Sequence, residues 1–253
     1  MLRFSDNKEI PIAKFIINPY NSAFEGKITI SKFAIVIVAI IILCMPTKEQ
    51  STEIGWLDKG LLIYNQSKYD EAIEAYDKAI EIDPQMVFAW LFKGRALYDQ
   101  GRYIESIKAY DKVIEIDPKR ATAWAYKGKA LYAQENLVEA IRAYDKAIEL
   151  DSKNADFWVD KGIALHDQRK FYGAIRAFDK ALNIDPRNAK ALDSKGWTLY
   201  SEEKYPEAYR AFDAAIEIDP QFRSAWIGKS FALDKLGRDV ESQEASKKAM
   251  DLG

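Results

Sequence analysis

The chain has 253 residues, 48% of them hydrophobic and 30% charged, a globular composition large enough for one or two domains. Lys plus Arg number 37 against 39 for Asp plus Glu, a formal net charge of −2, so the basic surplus that phosphate contacts demand of a nucleic-acid binder is missing. One cysteine, Cys44, and one histidine, His166, exclude an internal disulfide and a metal site built on clustered Cys or His.

Residues 1–27 carry no interpretable motif. Within residues 28–46, the stretch from Phe33 to Met45 is apolar without interruption. As a helix it would be about 20 Å long, whereas a bilayer core needs about 30 Å. Extending it back to Ile28 takes in Thr29, Ser31 and Lys32, whose ammonium can reach the interface. The pattern predicts an uncleaved single-pass membrane anchor. The alternatives are a processed signal or lipid anchor, a helix packed on the rest of the chain, a strand, or translation starting at Met45, which would leave a cytoplasmic protein. No small-x-small site follows the run, and Leu43 stands where a lipoprotein signal needs Gly, Ala or Ser. Lys14, Lys27 and Lys32 precede the run and Lys48 and Lys59 follow it, so the positive-inside rule orients the remainder outside the cytoplasm. Residues 47–52 read as a polar linker.

From residue 53 the chain repeats itself. AYDKAIEIDP, residues 75–84, returns as AYDKVIEIDP, AYDKAIELDS, AFDKALNIDP and AFDAAIEIDP at a period of 34. Trp56, Trp90, Trp124, Trp158 and Trp226 keep the same phase, with Leu192 in the remaining place; so do Gly60, Gly94, Gly128, Gly162 and Gly196, followed by Ser230. A fixed period of this length indicates a solenoid. Its units are residues 53–86, 87–120, 121–154, 155–188, 189–222 and 223–253. Within one unit, Trp124, Gly128 and Leu131 share a helical face, and Ala140, Tyr144 and Ala147 form a second one. The break between them is too short for anything but an antiparallel turn. Asp-Pro then ends the second helix, because a residue preceding proline is driven out of the α region.

The recurring Trp, Gly, bulky residue, Ala, aromatic, Ala and Pro resemble the tetratricopeptide repeat over about residues 53–253. The resemblance implies an all-α fold, a right-handed solenoid of antiparallel helix pairs, here expected to follow an N-terminal hydrophobic helix. One departure recurs in every unit. Lysine precedes the Gly position (Lys59, Lys93, Lys127, Lys161, Lys195, Lys229), and pairing with Asp77, Asp111, Asp145, Asp179 and Asp213 is expected. In the last unit Ser246 replaces the aromatic, and residues 239–253 read as a polar cap.

The resemblance further implies that first helices line the concave surface. The groove is therefore expected to contain Leu57, Leu61, Phe88, Leu91, Phe92, Arg95, Tyr98, Tyr126, Lys129, Tyr132, Ile163, His166, Trp197 and Tyr200. Packing between units is an equal alternative for the tyrosines at 64, 98, 132 and 200, while His166 reads as a tolerated variant of that tyrosine place. Repeats that clamp the carboxylate tail of chaperones use Lys and Asn, then Asn, then Lys and Arg. Here the corresponding places hold Leu57 and Leu61, Phe92, and Thr122 and Tyr126, which disfavours that ligand. The expected function is a non-enzymatic, membrane-tethered scaffold that holds a protein or peptide partner in its groove, without cofactor, metal or nucleic acid. A soluble or self-associating structural protein, or a regulatory subunit of an enzyme complex, is the alternative. No Gly-rich phosphate loop or nucleophile pair is present, and the acids Asp156 and Asp160, spaced i, i+4, read as a solvated helix face.

Overall fold

The computed structural model describes residues 52–252. Among the described residues there are twelve helices and no strand: α1 (Glu53–Tyr64), α2 (Tyr69–Ile82), α3 (Val87–Asp99), α4 (Tyr103–Ile116), α5 (Ala121–Ala133), α6 (Leu137–Leu150), α7 (Ala155–Asp167), α8 (Phe171–Ile184), α9 (Ala189–Ser201), α10 (Tyr205–Ile218), α11 (Arg223–Lys235) and α12 (Asp239–Asp251). They form six antiparallel hairpins stacked in chain order. The segments 1–27 and 28–46, with the expected hydrophobic helix, and nearly all of the linker lie outside the described residues. The expected placement in a membrane is corrected: among the described residues no helix is long and apolar enough to cross one. Each helix has 12 to 14 residues, about 18–21 Å.

Each of the first five hairpins closes around one ring. Tyr76, Tyr110, Tyr144, Phe178 and Phe212 are fully or almost fully buried, each against the glycine sixteen places earlier. A methyl group on Gly128 would come within 2.6 Å of Tyr144 Cε1, closer than real side chains approach. The last unit shows the same dependence in reverse. Where the ring is replaced by Ser246, the glycine is replaced by Ser230, whose hydroxyl lies 3.2 Å from that of Ser242.

Two further contacts stitch each hairpin to the one before it, except that the fifth, with Leu192 in the tryptophan place, has only the first of them. Lys127 Nζ pairs with Asp111 at 2.6 Å, Lys161 with Asp145 at 2.5 Å and Lys195 with Asp179 at 2.6 Å; Lys93–Asp77 and Lys229–Asp213 complete the ladder. These pairs are half-exposed, so each contributes at most about 1 kcal/mol. The lysines also lie over the tryptophans, with Lys93 5.4 Å from the centre of Trp90 and Lys127 5.6 Å from Trp124. The tryptophan indole then donates to the preceding unit's terminal carbonyl, Trp90 to Pro84 at 3.0 Å and Trp226 to Pro220 at 3.0 Å.

The turns follow from local chemistry. Asp83, Asp185 and Asp219 end second helices in extended conformation, and Asp151 ends its own at φ −143°, ψ 89°. Their carboxylates accept the amide two residues on at 2.9–3.1 Å, as Asx turns do. First helices end on a left-handed residue (Ser67, Gly101, Glu135, Arg169, Glu203 or Gly237). From the second unit onward the following amide returns to the helix, as Arg102 does to Leu97 at 2.9 Å.

The ring-on-glycine contact predicts a reversal of sign. Gly128→Ala should cost about 1–3 kcal/mol by overpacking, yet in a Tyr144→Ala background it should stabilise by about 1 kcal/mol, the helix propensity alone. Urea unfolding of the four proteins in this cycle measures both values.

Candidate functional site

Neighbouring first helices touch one another while neighbouring second helices do not, so first helices form the inner wall of the curve. That wall is built from side chains recurring at four places per unit. One place holds Leu61, Arg95, Lys129, Ile163, Trp197 and Phe231. A second holds Tyr64, Tyr98, Tyr132, His166 and Tyr200. A third holds Phe92, Tyr126, Asp160, Ser194 and Gly228. The fourth includes Phe88 and Lys190.

The third place sets the depth of the groove because it lies over the buried ring of the preceding unit. Phe92 stacks on Tyr76 with centroids 6.2 Å apart, and Tyr126 stacks on Tyr110 at 5.7 Å. Further along, Asp160 and Ser194 are too small to cover Tyr144 and Phe178, and both rings form the floors of depressions. At the last place the backbone of Gly228 itself packs on Phe212, where an added Cβ would collide with Cε1, and the Trp197 indole meets the buried ring edge-on at 5.2 Å.

Three depressions run in sequence along the wall. Arg95, Tyr98, Tyr126 and Lys129 line the first, of about 290 Å³. Tyr98, Lys129, Tyr132, Asp160, Ile163 and Lys190 line the second, of about 350 Å³. Ile163, His166, Ser194 and Trp197 line the third, of about 180 Å³. Shared side chains make the three continuous from the second unit to the fifth.

The middle of the groove is electrostatically organised. Asp160 is 8% exposed, and its carboxylate is 3.2 Å from Lys129 Nζ of the unit before and 3.5 Å from Lys190 Nζ of the unit after. Two cations on one buried anion leave a local positive excess. Asp156 is exposed, so the two acids spaced i, i+4 do not share one environment. Tyr64 donates to Asp99, and Tyr132 to Asp167 at 2.5 Å. Burial and these carboxylates push both phenols up to about 12. The two tyrosines therefore brace adjacent units while keeping one side in the groove. Tyr98 and Tyr200 pack on Tyr103 and Tyr205 across their own turns, with centroids 5.4 and 5.3 Å apart. His166 Nδ1 lies 2.9 Å from Thr198 Oγ1, and burial lowers its pKa, favouring the neutral ring. Among the described residues no His, Cys, Asp or Glu group could hold a metal.

Leu91 requires correction. It is 8% exposed and packs with Tyr110, Val113, Ala123 and Ala130. Its place continues through the buried Ala125, Val159 and Asp193, which face a neighbouring hairpin rather than the groove. Leu57 occupies the same place in the first unit, where it packs on the core. Phe231, absent from the sequence expectation, is 49% exposed and meets Trp197 at 5.9 Å and Tyr200 at 6.4 Å. Its 34-residue spacing from Trp197 was the available signal. Phe88 is 49% exposed, with Arg120 5.1 Å above its ring.

Asp193 is the chemically unusual member of its row, an acid where other units carry Leu, Ala, Val or Ile. It is 7% exposed; one oxygen accepts from Ser224 Oγ at 2.9 Å, and Ser224 in turn accepts from Trp197 Nε1 at 3.2 Å. The other oxygen has no partner. Burial, only partly offset by these hydrogen bonds, pushes the carboxyl up to about 6.

Sequence models described as tetratricopeptide repeat match residues 54–86 and, in overlapping copies, residues 91–155, 127–191 and 159–221. No curated protein matches the sequence. Among solved structures, MamA aligns with TM-score 0.60 at 27% identity, over 67% of this chain and 92% of that one. YrrB, titled a TPR protein with an unusual peptide-binding site, aligns with TM-score 0.57 at 22% identity, over 77% and 96%. PilF of Pseudomonas aeruginosa aligns with TM-score 0.67 at 19% identity, over 79% and 90%.

Asp193 predicts a pH signature. The unfolded carboxyl releases its proton near 4 and the folded one near 6, so folding takes up a proton in between and stability falls as pH rises. The penalty is absent below about pH 4 and complete above about pH 6, where it is bounded at about 3 kcal/mol. Asp193→Asn should raise the thermal midpoint by about 2–8 °C at pH 7.5 and match the parent near pH 4. An equal offset at both pH values in paired melts would contradict this.

Proposed function

This chain belongs to the tetratricopeptide repeat family, and from that premise we propose that it is a non-enzymatic scaffold whose inner wall holds a peptide segment or helix of a protein partner. The observation that carries this reading is the continuity of the three depressions, lined by partly exposed aromatic and cationic side chains fixed on rigid helices. A receptor built this way loses little conformational freedom on binding, so contact energy is not consumed in ordering it.

The groove is asymmetric along its length. The second and third units offer Arg95 and Lys129, Asp160 at the middle draws in Lys190 from the fifth unit, and the fourth to sixth units offer Ile163, Trp197 and Phe231. A complementary segment carries acidic side chains at one end and apolar or aromatic ones at the other. Both extended and helical segments present side chains at spacings such a wall accepts. Aromatic and arginine side chains of this kind dominate interface energetics. The peptide-binding site named for YrrB is in keeping with this use of a related stack. The buried Asp160 is neutralised by its lysines and serves in this reading to hold them in place.

Peptides selected on the full chain from a random display library should be enriched in acidic residues followed by aromatic ones. Arg95→Glu and Phe231→Ala, both at exposed positions, should each weaken them by about tenfold or more, the loss of about 1.4 kcal/mol expected of an anchor. Fluorescence anisotropy measures the change. Selected peptides that bind both variants with unchanged affinity would contradict the groove assignment.

A further inference from the structure

On the outer side of the fourth unit, the charge pattern shared by the second helices is broken twice. At the third position of each second helix the chain places Glu71, Glu105, Glu139, Glu207 and Glu241, but α8 has Gly173. Four of those glutamates pair with a cation on the same turn: Glu71 with Lys68 at 3.9 Å, Glu105 with Arg102 at 2.5 Å, Glu139 with Arg142 and Glu241 with Arg238. Near the end of the helix, Glu81, Glu115, Glu149 and Glu217 have their counterpart in Asn183. Lys112 and Lys146 use those glutamates at 2.6 and 2.8 Å. As a result, α8 is the one second helix without a glutamate. Its single acid, Asp179, is taken by Lys195, and Arg176 and Lys180 have no carboxylate partner among the described residues.

Packing does not require the glycine. Its φ is not in the left-handed region, and an added Cβ would meet only the Leu165 methyls at 3.5 and 3.7 Å, an ordinary contact. Glycine is a poor helix former, and at this place it also gives up the favourable position of an acid in the first turn. In exchange the structure opens a depression of about 490 Å³, with Trp158, Leu165 and Ile141 among its apolar lining and Arg176 and Lys180 at its edge. Lys161, also there, is neutralised by Asp145 at 2.5 Å. The exposed ring of Tyr172 lies 5.8 Å below the Arg176 guanidinium and supports it from the far side.

We propose that this outer depression is a second docking site, separate from the inner groove, for a short acidic peptide segment with an apolar side chain. The apolar group enters the space left by Gly173, and flanking carboxylates meet Arg176 and Lys180, whose one-turn spacing of about 6 Å suits neighbouring acids. The missing glutamates are the determinant, because in the preceding unit Glu139 and Glu149 occupy the equivalent cations, Arg142 and Lys146.

The test uses the full chain and a fluorescein-labelled Glu-Glu-Phe-Glu-Glu peptide, with Lys-Lys-Phe-Lys-Lys as its charge-reversed control, read by anisotropy at low salt. The acidic probe should bind and the basic one should not, and Gly173→Glu should weaken binding about tenfold or more. The same substitution should hold or raise the thermal midpoint, since it restores an acid beside Lys170, so lost binding cannot be ascribed to unfolding. Absence of binding by the parent, equal affinity of parent and Gly173→Glu, or loss of binding on Arg95→Glu alone would overturn the proposal. The last result would assign the probe to the inner groove and leave that reading standing.

Discussion

Everything in this stack depends on a ring lying flat against a helix that has no side chain to push it away. Tyr76, Tyr110, Tyr144, Phe178 and Phe212 each occupy the space a glycine vacates, and that contact fixes how closely the two helices of a hairpin approach. Burial of a whole aromatic side chain brings several kcal/mol, far more than the half-exposed Lys–Asp ladder. The ladder and the tryptophan caps set the register between hairpins, a smaller task. In the sixth unit Ser246 and Ser230 replace the ring and its glycine together, as members of a matched pair would be replaced.

Because the rings and small residues hold the hairpins from within, much of the inner wall carries little of the structural burden. Where one wall place is filled by Phe92 or Tyr126 the surface is shallow; where it shrinks to Asp160 or Ser194 the surface opens onto the ring beneath. Groove depth is thus written by one residue per unit. The same logic acts on the outer side, where Gly173 and Asn183 in place of glutamates accompany a depression and two cations without a carboxylate partner among the described residues. A repeat protein can acquire distinct surfaces in this way without disturbing its stack, since each unit contacts only its neighbours.

The periodic features were legible because each letter does the same job in every unit. The two-helix unit, its turns, the buried aromatic and the Lys–Asp pairing all follow from phase and elementary helix geometry. The inner-wall residues were only partly legible. A helical wheel drawn for an isolated helix placed Leu57 and Leu91 in the groove, whereas stacking turns that edge into the adjoining hairpin, where Ala125 and Val159 also lie. Phe231 is hard to read from the sequence because the last unit is distinguished by its polar second helix, which draws attention from its first. Phase identifies places but not which neighbouring unit will supply the partner, so the double lysine clasp on Asp160 could not be foreseen. The expected membrane placement, drawn from residues 28–46, found no support among the described helices, all of which are short and built to pack on one another.

If the hairpins are secured from inside, the exposed inner-wall side chains should be dispensable for stability. The direct measurement is the urea midpoint of a chain carrying Phe88→Ser, Arg95→Ser and Phe231→Ser together. The account predicts a combined loss below about 1.5 kcal/mol, as expected of surface positions, with the helical circular dichroism unchanged. A loss of about 4 kcal/mol or more would mean that the wall itself holds the stack, and its availability for a partner would be contradicted.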